Sequence, residues 1–287
     1  MVAFVRDTFV HYRDSNTFEK GAALSYYTAF SFLPITMILT SGLDLLFQDE
    51  IVSGELYEFL AGIVGKTGAG QLEDLLAGQH LVRNSLFSTL LGIGTLLFAA
   101  TGMFNQIHNS LNAIWRLKVK SGKGTFNYFA RHLSSLAVII LIGFLLFMST
   151  ALNSILQRYS DALPQAFRHV QVYEHLFSFL LVGLLFAMLF KITGNAIVPW
   201  RIALISAAFT SVLFILGKLG IGLYIARSHF NSTFGTASVL AILLIWVYYS
   251  SQILFLGASF AYILGKRTGR EIKPTRQAVR FIHKEIH

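Results

Sequence analysis

The chain has 287 residues, of which 54% are hydrophobic and only 13% charged, and its mean hydropathy is +0.61. A soluble domain of this size carries about a quarter charged residues, so too little polar material is present to cover a water-facing surface, and the apolar excess must face lipid. The absence of cysteine excludes disulfides, thiolate metal sites and a Cys nucleophile, while the formal charge of +9 raises nucleic-acid binding as a question that only the placement of the charges can answer.

In chain order, residues 1–21 contain no uninterrupted apolar run, because Arg6, Asp7, Arg13, Asp14, Glu19 and Lys20 break it. No cleavable signal peptide is therefore expected. Val2, Val5, Phe9 and Tyr12 recur at helical spacing and predict an amphipathic helix lying on the inner membrane surface. A membrane-crossing helix needs roughly 20 apolar residues. Six windows meet or nearly meet that length: residues 22–47, 86–107, 132–152, 174–192, 202–225 and 239–264. Long continuous apolar runs exclude a barrel, whose strands alternate. The connection 48–85 is too polar to cross. Its Leu56, Phe59, Leu60, Ile63 and Val64 predict an interfacial helix on the outer side.

Seventeen of the 23 Lys and Arg residues fall in residues 6–20, 116–131, 191–201 and 266–284; five fall in the alternate connections, and Lys218 lies within a span. The positive-inside rule then places both termini in the cytoplasm. The expected fold is an all-α integral membrane protein, a six-transmembrane-helix bundle with cytoplasmic N and C termini. Its parts are an amphipathic N-terminal helix (1–21), the membrane domain (22–265) and a basic cytoplasmic tail (266–287). Most of the positive charge is thus assigned to topology rather than to nucleic acid. Lys266, Arg267, Arg270 and Lys273 are expected to touch anionic lipid headgroups.

Polar residues inside spans are costly and mark candidate sites. Thr101, Asn105, His108, Asn109 and Asn112 form a polar stripe ending the second span. Such a stripe lines a wet cavity or makes interhelical hydrogen bonds. In the first span Tyr27 and Ser31 precede Pro34, a candidate hinge because proline removes a backbone donor. Lys218, among Gly217, Gly220 and Gly222, is a further candidate cavity residue or a snorkelling one, and Ala203, Ala207 and Ser211 form a ridge of small residues suited to close helix contact. No zinc-protease motif and no Walker-type phosphate loop occurs. Neither metal nor cofactor is expected, and the chain is not expected to be an enzyme.

Three segments carry a resemblance. GAALSYYTAFSFLPITMIL (residues 21–39), LNAIWRL (111–117) and FGTASVLAILLIWVYYSSQILFLGASFAYIL (234–264) resemble, in order and spacing, the BrkB/YihY family of bacterial inner-membrane proteins. In this chain Ser259 stands where an acidic residue is common in that family. The resemblance implies a six-helix bundle in the bacterial inner membrane, and little chemistry. Members took their names from a virulence-associated resistance trait and from a tRNA-processing ribonuclease. A metal-dependent nuclease needs clustered carboxylates or histidines at a wet site, and the acidic cluster here (Asp49, Glu50, Glu55, Glu58, Glu73, Asp74) falls on the outer side. The leading expectation is a transporter or permease-like protein for a small solute, ion or lipid. The alternative is a non-transporting envelope-integrity or scaffold protein acting through lipids or partners, and a third reading, ranked below both, is a ribonuclease or other enzyme.

Overall fold

The computed structural model describes residues 2–30, 86–120, 170–227 and 237–281. The expected span 132–152 and connection 48–85, together with Ser31 and Pro34, lie outside the described residues. The fold is mostly helical: α1 (Val2–Asp14), α2 (residues 17–30), α3 (Leu86–Ile114), α4 (Val170–Ile192), α5 (Trp200–Arg227) and α6 (Ala237–Arg267). Among the described residues, Trp200–Lys218 (19 residues) and Leu243–Arg267 (25 residues) are long and apolar enough to cross a membrane. At 1.5 Å per residue the shorter stretch reaches about 28 Å, close to the thickness of a hydrocarbon core.

Among the described residues, four short strands depart from the all-α expectation. β1 (Leu117–Val119) pairs antiparallel with β4 (Ala278–Arg280), in the register Leu117↔Arg280, Lys118↔Val279, Val119↔Ala278. β2 (Ala196–Ile197) pairs with β3 (Lys273–Pro274), Ala196 facing Pro274 and Ile197 facing Lys273. Strands of two or three residues are too short to show an alternating pattern, so periodicity could not reveal them. They also change the reading of the basic tail. α6 runs on to Arg267 and stops where Gly269 takes a φ of +68°, with Arg270 N–H donating to Gly265 O at 3.0 Å. That is the Schellman closure, which glycine adopts at no steric cost. The chain then folds back, and residues 273–280 become part of the structure through β3 and β4.

The chain divides into two compact units, residues 1–17, 107–216 and 253–287 forming one and residues 18–106 and 217–252 the other. In the first, α1 lies along the end of α6. Phe4 meets Phe260 edge-on (5.1 Å), His11 stacks on Tyr262 (4.4 Å), and the Arg267 guanidinium bonds Asp7 at 2.6 Å while lying over the Phe4 ring. The helix expected over residues 1–21 breaks at Ser15 and Asn16, where Asn16 takes a φ of +51°, a conformation asparagine tolerates. The buried face of α1 is Thr8, His11 and Tyr12, whereas Val5, Phe9 and Val10 are exposed. Tyr12 therefore leaves the expected membrane-facing apolar stripe and serves the core.

Small residues bring α4, α5 and α6 together. Ala203, Ala207 and Ser211 are buried, and a methyl group at Gly257 would run into the Thr210 hydroxyl and approach the Phe190 ring. Close backbone approach of this kind is how helices associate where lipid offers no hydrophobic drive. The Thr210 and Ser211 hydroxyls donate to the carbonyls of Ser206 and Ala207 four residues back, so these two polar residues are satisfied within their own helix.

In the second unit α2 meets α3 where the Tyr27 ring presses on Gly102, and the Gln106 side chain donates to Lys20 O at 3.3 Å. Gly217 of α5 likewise faces the Tyr249 hydroxyl of α6.

The packing of α1 predicts a pH dependence. His11 donates through Nε2 to Ile114 O at 2.8 Å, and burial pushes its pKa below the ordinary value; the bond to Ile114 and the charge of Asp14 oppose that shift, and Arg116 and Lys266 add to it. In the unfolded chain the imidazole titrates near pH 6.5. Below that pH the unfolded state takes up a proton that the folded state refuses, so stability falls as pH drops from about 6.5 toward the lowered folded value and is level above it. The thermal midpoint of the detergent-solubilised chain should be flat from pH 7 to 8 and decline on acidification. His11→Gln keeps an N–H donor without a titrating ring and should shrink the decline; an unchanged acid slope in that variant would refute the assignment.

Candidate functional site

Among the described residues of the first unit, the most connected polar cluster stands at the C-terminal end of α3. Helical spacing turns His108, Leu111, Asn112 and Trp115 to one side, and all four are buried. They face the turn 193–195 between α4 and β2. Gly194 N–H donates to His108 Nδ1 (3.2 Å), Asn195 N–H donates to Asn112 Oδ1 (2.7 Å), and the Asn195 side-chain amide lies 3.1 Å from His108 Nε2.

These contacts determine the state of the imidazole. A backbone N–H can only donate, so His108 Nδ1 carries a lone pair, and a neutral ring must hold its proton on Nε2. The Asn195 amide accepts that proton when its oxygen is turned to the ring, an orientation that only the hydrogen-bond network can decide. With both ring nitrogens engaged, His108 is a structural residue rather than a free acid or base. Thr275 N–H donates to Asn195 O at 3.0 Å, which ties the same turn to the β3 side of the tail.

Trp115 closes the cluster. It is wholly buried, its Nε1–H reaches Ala258 O at 3.2 Å, and its ring packs against Gly194. The chain then reverses at Arg116, which takes a φ of +54° and lets Leu117 enter β1.

Beside the cluster a cleft of about 500 Å³ opens to the surface, lined by Asn109, Asn112, Leu117, Lys118, Val119 and Phe281 along with Ala113. Asn112 sits at the boundary between core and cleft. Its oxygen is taken by Asn195, while its buried Nδ2 has no hydrogen-bond partner among the described residues.

The expected stripe is thus split. Thr101 and Asn105 are half-buried, His108 and Asn112 are buried and bonded to the turn, and Asn109 is exposed in the cleft. Tyr27 is half-buried against Gly102, and Lys218 is exposed on α5. Lys266, Arg270 and Lys273 are exposed, whereas Arg267 is engaged with Asp7 and Phe4. Gly194 and Asn195 are the residues that sequence reasoning missed. The only local signal was a Thr-Gly-Asn turn after an apolar helix, and nothing in it names a partner more than 80 residues away.

Long apolar helices packed through small residues, with polar contacts gathered at one helix end, define a mostly helical integral membrane protein. The chain belongs to the BrkB family: residues 8–281 match the family described as Virulence factor BrkB. Among curated relatives it is 28% identical over 254 residues to a UPF0761 membrane protein of Saccharophagus degradans, covering 87% of this chain and 56% of that protein. It is 29% identical over 249 residues to one of Ralstonia nicotianae (86% and 55%), and 26% identical over 282 residues to one of Vibrio vulnificus (97% and 87%). The chain therefore spans little more than half the length of the first two relatives and most of the third. No solved structure matches it. The family and the apolar helices place the chain in the bacterial inner membrane.

Proposed function

We propose that this chain is a permease-like protein that moves a small solute, ion or lipid across the inner membrane, through a six-span bundle with both termini in the cytoplasm. The observation that carries the reading is the cleft at the end of α3: it opens beside a buried amide whose donor is unmet, at the start of a basic connection. Pockets of a few hundred cubic ångströms with an apolar lining and a few polar groups suit small ligands. The concentration of Lys and Arg in residues 116–131, 191–201 and 266–284 supports a cytoplasmic mouth for this cleft. The exposed Lys266, Arg270 and Lys273 are proposed to contact anionic headgroups, each at about 1 kcal/mol near the surface. No catalytic role is proposed, because His108, the buried histidine beside the cleft among the described residues, has both ring nitrogens in contact with the turn.

Orientation is open to a direct test because the chain has no cysteine. Single substitutions Arg13→Cys and Gln277→Cys should react with a membrane-impermeant maleimide only from the cytoplasmic side, and Lys66→Cys only from the outer side; any reversal contradicts the six-span reading. Transport is tested with the full chain in proteoliposomes, by stopped-flow swelling against a panel of small neutral and charged solutes. At least one solute should enter faster than into empty vesicles, and Asn109→Trp, which fills the cleft, should cut that rate by about tenfold or more. No entry over the panel, or entry indifferent to Asn109→Trp, would favour a scaffold acting through lipids.

A further inference from the structure

We propose that the cleft at the end of α3 binds an organic anion, meaning an oxyanion headgroup (carboxylate or phosphate) attached to a compact apolar body. The proposal deepens the permease reading by naming a ligand class, and rests on that reading only for what the ligand is for.

The lining sorts by chemistry. Its polar members among the described residues are Asn109, Asn112 and Lys118, with no carboxylate among them. Asn112 brings an unmet donor: one lone pair of its Oδ1 receives Asn195 N–H, while its Nδ2 is buried with no partner among the described residues. A buried donor left unmet is costly, and an acceptor oxygen brought by a ligand removes that cost. Lys118 adds a positive charge with three donors and no acceptor. Arg116 and Lys120 flank it in the chain and raise the local positive potential. A cation is disfavoured by this set. A neutral polyol, which needs acceptors as well as donors, finds few.

The remaining lining is apolar. Ala113, Leu117, Val119 and Phe281 can take a hydrocarbon or aromatic group but not a second charge. Phe281 is held in place because its N–H donates to Arg116 O at 3.0 Å beside the β1–β4 ladder. The wall is therefore part of the fold and stands ready before a ligand arrives, which lowers the ordering cost of binding. At about 500 Å³ the cleft exceeds what a bare phosphate needs and suits an anion with a body of several heavy atoms.

Two sources share this chemistry, a soluble carboxylate and the phosphate end of a lipid. The experiment uses the full chain in nonionic detergent and measures heats of binding for benzoate, benzamide, benzylammonium, inorganic phosphate and dihexanoyl phosphatidic acid. An anionic probe with an apolar body should bind at least about tenfold more tightly than benzamide or benzylammonium, and inorganic phosphate more weakly than either anion with a body. A preference for benzoate assigns a soluble acid, and a preference for the phosphatidic acid assigns a lipid.

Two variants locate the effect. Asn112→Asp keeps the acceptor that Asn195 uses, removes the Nδ2 donor and adds a repelling charge; it should lower anion affinity by about a hundredfold. Lys118→Gln, at an exposed position, should lower it by about tenfold without touching the core. Absence of binding, equal binding of benzoate and benzylammonium, or anion binding that survives both substitutions would each overturn the proposal. If Asn112→Asp does not fold, Lys118→Gln alone decides. Binding that follows these rules in a chain that passes no solute would leave the site standing and refute the permease. Solute flux with no anion selectivity would do the reverse.

Discussion

Trp115→Ala is expected to destabilise the chain by about 3–5 kcal/mol, the range for emptying a large buried aromatic site. The ring is the largest of the wholly buried side chains, and it is enclosed by segments distant in sequence: the turn at Gly194 and the middle of α6 at Ala258. Removing it leaves a cavity whose walls are separate backbone segments, each fixed by its own hydrogen bonds, so the site cannot easily collapse. The hydrophobic part of the loss would shrink for a side chain facing lipid, but Trp115 faces protein on all sides, and its dispersion contacts are lost in any solvent. Trp115→Phe should keep most of the packing and cost about 1–2 kcal/mol, chiefly through the lost bond to Ala258 O. Unfolding of the detergent-solubilised chain by a denaturing surfactant would measure both. A midpoint for Trp115→Ala within error of the wild type would show that the junction of α3, α4 and α6 is not held here.

What could be read from residues alone follows from the range of the interactions involved. Helix existence rests on contiguous apolar runs, a local property, and α3, α4, α5 and α6 all overlap the expected windows. Their ends were less legible: α3 runs to Ile114 instead of 107, because Asn109 and Asn112 lower the hydropathy without breaking the helix. Family membership was legible for a related reason, since three short motifs in fixed order suffice to carry it. The polar stripe was legible as a set of unusual residues in the right place. Its division of labour was not. Whether His108 meets water or a backbone N–H depends on the turn at 193–195, which lies more than 80 residues away. The tail shows the same limit. Its basic residues suggested a cytoplasmic tail touching lipid headgroups and gave no sign that Lys273 and Arg280 lie on strands whose partners, Ile197 and Leu117, come from two separate connections.

The division within the stripe also bears on function. Had all five residues lined one wet channel, each substitution would alter passage. Instead His108 and the Asn112 oxygen are spent on the backbone of a turn, and the polar residues that line the cleft are Asn109, Asn112 and Lys118. Substitutions at His108 should therefore act through folding, and those at Asn109 and Lys118 through the ligand.

Gly194→Ala isolates the turn itself and should cost about 2–6 kcal/mol. Two causes add. Gly194 has a φ of +100°, where an L side chain is strained by about 1–3 kcal/mol. An added Cβ would also stand 2.9 Å from Trp115 Cζ3 and 3.3 Å from Asn112 Oδ1, so the ring or the turn must move, and overpacking of this sort costs about 1–3 kcal/mol. Movement of the turn would stretch the bonds from Gly194 N–H to His108 and from Asn195 N–H to Asn112, loosening the side chain that borders the cleft. The two causes separate in a double-mutant cycle with Trp115→Leu. A leucine gives the new methyl room, which removes the clash and leaves the backbone strain. Gly194→Ala should then be less damaging in the Trp115→Leu background than in the wild type, by about 1–2 kcal/mol of coupling. Equal cost in both backgrounds would mean that the φ alone requires glycine; no cost in either would mean that the turn is not held against Trp115 in the membrane-embedded protein.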